Sequence, residues 1–403
     1  MRPLSISRFT ATSCIGRGLG ETVASLRAER SGLGPCTFET VRLETYVGEV
    51  PGVDEQSLPR ALARFDCRNH RLAQLGLRQD GFIETVRESA GRWGPGRIGL
   101  ILGTSTSGML ATELAYRRRD PASGALPSDF DYAATHNPYA LAEFTRALLK
   151  LEGPCTVIST ACSSSAKVFA AAARMMAAGL IDAAVVGGVD SLCLTTLYGF
   201  SALQLVAPGP CRPFDIAREG ISIGEGAAFA LLERPGPDTG PGAITLSGFG
   251  ESSDAYHMSS PHPDGLGAQA AMRAALASAA LEPAQIEYIN LHGTGTPSND
   301  SAEARAVAAL FGAAVPASST KGATGHTLGA AGALEAVICA LALRHGLLPG
   351  GLNTTAVDPD LELAYLTGNR AAPVTRVLSN SFGFGGSNCS LVLERRTEGP
   401  VHD

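Results

Sequence analysis

Residues 156–189 read TVISTACSSSAKVFAAAARMMAAGLIDAAVVGGV. The opening four residues, Thr156 to Ser159, form a short β-prone run that reads as a buried strand. Ser163 to Gly179 is Ala-rich, carries Val168, Met175 and Met176, and ends on glycine, which predicts a helix. Ala183 to Val189 is a second apolar strand. Strand, helix and strand in direct succession point to a layered α/β fold with helices on both faces of sheets.

The same rhythm continues on either side. Ile98 to Gly103 (IGLILG) reads as a buried strand upstream. Downstream come Ile244 to Gly248 (strand), Gly267 to Ala280 (helix), Ile286 to Leu291 (strand), Ser301 to Phe311 (helix) and Gly332 to Arg344 (helix). Val377 to Ser381 and Cys389 to Leu393 then form two strands around a glycine turn. The breaker-rich stretch from Arg234 to Gly242 separates two parts of similar rhythm. They are read as duplicated halves, residues 1–240 and 241–403.

Composition narrows the function. Of 403 residues 45% are hydrophobic and 17% charged, with a formal net charge of −6. A chain so poor in charge buries much of itself, and its acidity argues against general nucleic-acid binding. Nine cysteines are scattered with no metal-like or CxxC spacing, which predicts reduced thiols, no resident metal and a cytoplasmic protein. Arg2 and Arg8 are followed by no apolar signal segment, and no unbroken apolar run suggests a membrane span. Neither a P-loop nor a GxGxxG opening a helix is present, so nucleotide binding is not expected.

Three stretches combine reactive side chains with small neighbours. Cys162 lies where a strand turns into a helix, a position whose unpaired N–H groups favour thiolate over thiol. Taken alone, it reads better as a small core residue. His292, in Asn290-Leu291-His292-Gly293-Thr294-Gly295-Thr296, and His326, in Lys321-Gly322-Ala323-Thr324-Gly325-His326, sit in Gly-rich loops next to predicted strands and helices, where an α/β fold carries function. The third stretch is Asn380-Ser381-Phe382-Gly383-Phe384-Gly385-Gly386-Ser387-Asn388. Asp190-Ser191-Leu192 resembles a carrier-attachment triplet but follows an apolar strand, and is read as structural.

Taken in order, TACSSS, the RPFD to GEG stretch of residues 212–226, HGTGT, KGATGH with the following LGAAGALEA, and NSFGFGGSN resemble the β-ketoacyl-(acyl carrier protein) synthases. The match covers most of the chain. It implies the thiolase-like fold, two duplicated halves in five αβαβα layers, and decarboxylative condensation of an acyl thioester with malonyl-carrier. Cys162 matches the family nucleophile, and His292 and His326 the histidines that stabilise the enolate. Lys321, with Glu335, is implied to orient His326 or tune its charge. The amides of Cys162 and Phe384 match the oxyanion hole, and Phe384 with Phe382 the gate. Thr294 and Thr296 match contacts to the phosphopantetheine arm, and Thr106 a chain-length gatekeeper. No permanently bound cofactor is implied, since phosphopantetheine arrives on the acyl carrier protein. Family members are normally homodimers.

Lys167, the Ser163-Ser164-Ser165 run and Asp66-Cys67-Arg68-Asn69 depart from the housekeeping enzymes and are more similar to condensing enzymes of bacterial aryl polyene clusters. The bland reading of Lys167 is a surface residue. The carrier protein of this family is acidic, so Arg117-Arg118-Arg119, or Arg60, Arg64, Arg68 and Arg71 on one helical face, are candidate docking groups, with a plain solvated face as the alternative. Two further readings stay open: a thiolase-type acyltransferase, and a chain-length factor that partners a ketosynthase in a heterodimer. The presence of Cys162 favours the catalytic role.

Overall fold

The computed structural model describes residues 1–236 and 239–397. Pro237 and Asp238 of the predicted boundary lie outside the described residues. The first half contributes β1 (Leu4–Ser13), β2 (Ile98–Gly103), β3 (Cys155–Ile158), β4 (Ala183–Asp190) and β5 (Gly226–Glu233). The second contributes β6 (Ile244–Ser253), β7 (Tyr288–Asn290), β8 (Pro316–Ser318), β9 (Arg376–Gly383) and β10 (Ser387–Arg395).

These ten strands run β3-β2-β4-β5-β1-β6-β10-β9-β7-β8, and short strands at 16–17 and 364–365 complete a twelve-stranded sheet. Within each half the order is third, second, fourth, fifth, first. In each, the third, second and fourth strands are parallel and the fifth and first antiparallel. The halves meet where β1 pairs antiparallel with β6, Leu4 opposite Leu246 and Ser5 opposite Thr245.

The helices that position the site are α1 (Arg68–Leu77), α2 (Pro138–Leu149), α3 (Ser164–Ala177), α4 (Leu266–Ala279), α5 (Pro297–Phe311) and α6 (Ala331–His345). Helices α3 and α6 pack between the two halves of the sheet. Helices α1 and α2 cover the outer face of the first half, and α4 and α5 that of the second. Helix and sheet thus alternate in five layers. Every residue of β4 and β5 is buried, as a strand covered on both faces requires. Residues 331–343 of α6 are all buried, and a helix apolar on every side belongs in a central layer. Gly332 makes the α3–α6 approach possible, because a Cβ there would lie 2.6 Å from the Ala166 nitrogen. Leu328–His345 is apolar enough by composition to cross a membrane (mean hydropathy 1.4), yet 89% of it is buried in this layer.

Two expectations change. Helix α5 begins at Pro297 rather than at Ser301, because proline fits the first helical position. Arg60, Arg64, Arg68 and Arg71 do not share one helical face. A short 3₁₀ turn ends at Phe65, and Asp66 and Cys67 are extended before α1 starts. Arg68 is buried and donates to Glu225, Asp54 and Glu49, while Arg71 pairs with Asp66. Arg68, with four of its five N–H donors engaged and its side chain buried, is not free to meet a carrier protein. Arg117, Arg118 and Arg119 are exposed, with Arg118 paired to Asp129.

Candidate active site

Between β3 and α3 the chain turns through Ala161, whose φ of 51° is left-handed. For a residue with a Cβ this conformation costs roughly 1–2 kcal/mol. The serine run holds it in place. Thr160 N–H donates to Ser164 Oγ at 2.9 Å, and Ser163 Oγ donates to the Thr160 carbonyl at 2.9 Å. Ser164 Oγ donates to the Ala161 carbonyl, and Ser165 Oγ accepts from Ala333 N–H at 2.9 Å, joining α3 to α6. Cys162, carried on this elbow, is 5% exposed and faces a pocket lined also by His292, His326, Phe382 and Phe384.

The histidines arrive from the second half. His292 leaves the end of β7, and His326 precedes α6. His326 Nε2 lies 3.0 Å from Cys162 Sγ, and the two imidazoles meet edge to face at 5.3 Å. The Phe382 ring stands 5.9 Å from that of His292. Lys321 Nζ donates to the His292 carbonyl and to Glu335, and lies 3.4 Å from His292 Nδ1. The expectation was that Lys321 orients His326 or tunes its charge: its charge does act on His326, but the ring it touches is that of His292. The correction follows from backbone geometry: Lys321 opens a short helical turn beneath the His292 loop, while His326 lies beyond that turn, where its own amide donates to Ser222.

Electrostatics bears on the resting state of Cys162, which the sequence leaves open. Burial pushes the Cys162 thiol up to about 11; the Lys321 charge and the Phe384 amide act in the opposite direction but do not prevail. Desolvation thus outweighs both, which favours the thiol over the thiolate. Burial, and then the nearby Lys321 charge, hold both His292 and His326 well below the usual imidazole range. The pair at rest is a thiol beside a neutral imidazole positioned to accept its proton.

The remaining candidates divide. Thr294 and Thr296 line the pocket, their hydroxyls 2.8 Å apart. Phe382 and Phe384 line it too, and Phe384 rests against Phe200 at its mouth with 36% exposure. Glu335 is buried against Lys321, and its carboxyl is pushed up to about 7 by desolvation. Thr106 does not line the pocket: its hydroxyl donates to Asp190 at 2.9 Å. Asp190 also accepts from Thr104, Ser105 and the Gly329 amide, which explains why that triplet is buried. Lys167, neither at the pocket nor fully exposed, lies 3.7 Å from Glu251.

Sequence reading missed Glu303 and Asp300. Glu303 accepts the His292 and Gly293 amides, both at 2.8 Å, and the Asn380 amide at 3.2 Å. Asp300 accepts the amides of Thr294 and Phe214. The available signal was an acidic pair three residues apart in the helix that follows a Gly-Thr loop. Gly293 is required here, since a Cβ would lie 2.5 Å from that of Ser319 and 2.8 Å from the Phe214 ring.

Fold and site together define a condensing acyltransferase of the thiolase-like class. The comparisons agree. The family "Beta-ketoacyl synthase, N-terminal domain" matches residues 9–236, and "Beta-ketoacyl synthase, C-terminal domain" matches residues 244–355. Nodulation protein E of Rhizobium meliloti (strain 1021) is 34% identical, covering 94% of this chain and 96% of its own. The mitochondrial 3-oxoacyl-[acyl-carrier-protein] synthase of Arabidopsis thaliana is 36% identical over 94% of this chain and 90% of its own. Among solved structures, the ketosynthase (ApeO) in complex with its chain length factor (ApeC) from Xenorhabdus doucetiae matches at TM-score 0.87 and 36% identity, over 98% of both chains. The chain belongs to the β-ketoacyl synthase family, and is an acyltransferase that forms carbon–carbon bonds by condensation in fatty acid or polyketide synthesis.

Proposed function

We propose that Cys162 holds the growing acyl chain and that His292 and His326 act on the malonyl unit. The Cys162 thiol gives its proton to His326 Nε2 and attacks the carbonyl of an acyl-carrier thioester, and the phosphopantetheine sulfur leaves with a proton. Malonyl-carrier then enters. Its carboxylate leaves as carbon dioxide, and the electron pair remains as an enolate whose oxygen accepts hydrogen bonds from both imidazoles. Each such donor is typically worth a few kcal/mol. The carbanion attacks the acyl-Cys162 carbonyl, the tetrahedral oxygen is held by the Cys162 and Phe384 amides, and the Cys162 sulfur departs and takes up a proton from solvent, the one it first gave up having left on the pantetheine sulfur. Thr294 and Thr296 hold the pantetheine arm, Phe382 and Phe384 gate the passage, and Lys321 with Glu335 positions His292.

The observation that carries this reading is the 3.0 Å contact between Cys162 Sγ and a neutral His326, with His292 beside them. It favours the catalytic subunit over a chain-length factor. Likeness to two ketosynthase and chain-length-factor complexes, at 36% and 29% identity over 98% of this chain, supports a dimer with such a factor; the aryl polyene reading rests on Lys167, the serine run and residues 66–69 of the sequence. The exposed Arg117 to Arg119, with the exposed Arg60 and Arg64, remain candidates for meeting an acidic carrier.

The test is incubation with acyl carrier proteins loaded with saturated and conjugated chains, followed by malonyl-carrier, with mass spectrometry of Cys162 and of product. Acylation at Cys162 and a β-ketoacyl product two carbons longer are expected, with conjugated chains preferred. Absence of acylation with every chain, with or without a chain-length factor, overturns the reading.

A further inference from the structure

Beyond condensation, the same three side chains meet the requirements of a different ligand. The donor atoms of Cys162, His292 and His326 all lie within 4.8 Å of one another, and the three residues are 2–5% exposed. Thiolate and imidazole are the ligands that zinc and other soft divalent ions prefer. A tetrahedral zinc with bonds of about 2.0–2.3 Å separates its donors by roughly 3.5 Å. Sγ and His326 Nε2 are already 3.0 Å apart, so small side-chain rotations convert the cluster into a three-ligand site. His292 Nδ1 faces Lys321 Nζ at 3.4 Å, which leaves its other ring nitrogen for the ion. The fourth position opens into the pocket, where water or an incoming thiol completes the shell.

We propose that Cys162, His292 and His326 form an inhibitory binding site for a soft divalent cation, zinc in the first place. Binding exchanges one proton for the metal: the Cys162 S–H bond breaks, the proton goes to solvent, and the sulfur lone pair bonds the ion. Both imidazoles contribute neutral lone pairs, and no electron changes hands. The nucleophile is then bonded to metal and cannot take an acyl chain, so the ion is an off-switch rather than a cofactor.

Cobalt(II) is the probe, since its thiolate complexes absorb in the near ultraviolet whether or not the enzyme turns over. The reduced, chelator-treated full chain is titrated with cobalt chloride without air. One ion per chain and a thiolate charge-transfer band are expected, abolished in Cys162→Ala. His292→Ala and His326→Ala should each weaken binding at least tenfold with an unchanged circular dichroism spectrum, and His292→Asn and His326→Asn replace them if either misfolds. Zinc should displace cobalt and slow alkylation of Cys162 by iodoacetamide at least tenfold. No charge-transfer band, a band that survives in Cys162→Ala, or wild-type affinity in the histidine variants overturns the proposal. None of these readouts depends on condensation, so a failure of the proposed reaction would leave this result distinct.

Discussion

In the first half of the sheet, the loop leaving β2 carries Thr104, Ser105 and Thr106, and all three hydroxyls turn to Asp190 at the end of β4. In the second half, the equivalent loop leaves β7 with His292, whose backbone is held by Glu303 while its ring faces the pocket. The loops after the third strands differ too: one presents Cys162, the other Lys321 and His326. One topology is used twice, but the first half ties its polar groups to one another and offers a single sulfur. The second supplies both imidazoles and the cation behind them. Duplication thus provides the framework, and the chemistry arises where the third-strand loops converge at the ends of the central helices α3 and α6.

The contrast can be broken in stages. The largest effect is expected from Cys162→Ala, which should lower condensation by at least about 10³-fold with little change in thermal stability, measured as β-ketoacyl product and as Tm. A comparable rate in that variant would remove the first half's contribution altogether. In the second half, His292→Ala should slow malonyl decarboxylation by roughly 10²–10³-fold while Cys162 still takes up an acyl group. Equal losses in both half-reactions would merge roles that the geometry separates.

Lys321→Ala should destabilise the fold by about 3–5 kcal/mol, because it strands the Glu335 carboxyl in the core. Lys321→Met with Glu335→Leu should recover much of that Tm without recovering activity. Glu303 sharpens the comparison through pH. Burial raises its carboxyl from 4.5 to about 7, so the folded state binds the proton more tightly than the unfolded one. Its contribution, about 3 kcal/mol, is fully present below pH 4.5 and is lost as pH rises to about 7. Denaturant titrations of Glu303→Gln should show a flatter dependence over that window than the parent. The smallest effect belongs to the tied-off half: Thr106→Val should cost roughly 1 kcal/mol and leave product chain length unchanged. A shifted product profile would show that the first half also shapes the acyl passage.

Much of this was legible in the chain. The apolar runs at 98–103 and 183–189 and the Ala-rich helices read correctly, because strands and helices buried on every side are apolar throughout. Cys162, His292 and His326 stood out through small neighbours and loop position. Less legible were β1, whose mixed run of Ser, Thr and Ala carries weak periodicity, and β5, whose Ala-Leu run suits a helix as well as a strand, yet their pairing with their neighbours builds the middle of the sheet. The arginine series misled for a local reason: two extended residues, Asp66 and Cys67, reset the helical phase, so matched spacing no longer meant a shared face.

By itself the sequence determined which groups exist and which local structures carry them: a thiol at a strand–helix turn, two histidines in glycine loops, and an alternation that demands layers. These are short-range properties, set by propensity, periodicity and turn chemistry. Tertiary structure alone decided that Lys321 touches His292 rather than His326, that the Thr106 hydroxyl turns to Asp190 rather than to the pocket, and that burial pushes the Cys162 thiol upward. Each of those depends on burial and on partners far apart in the chain, where the cost of desolvating a charge or an unpaired polar group outweighs any local preference.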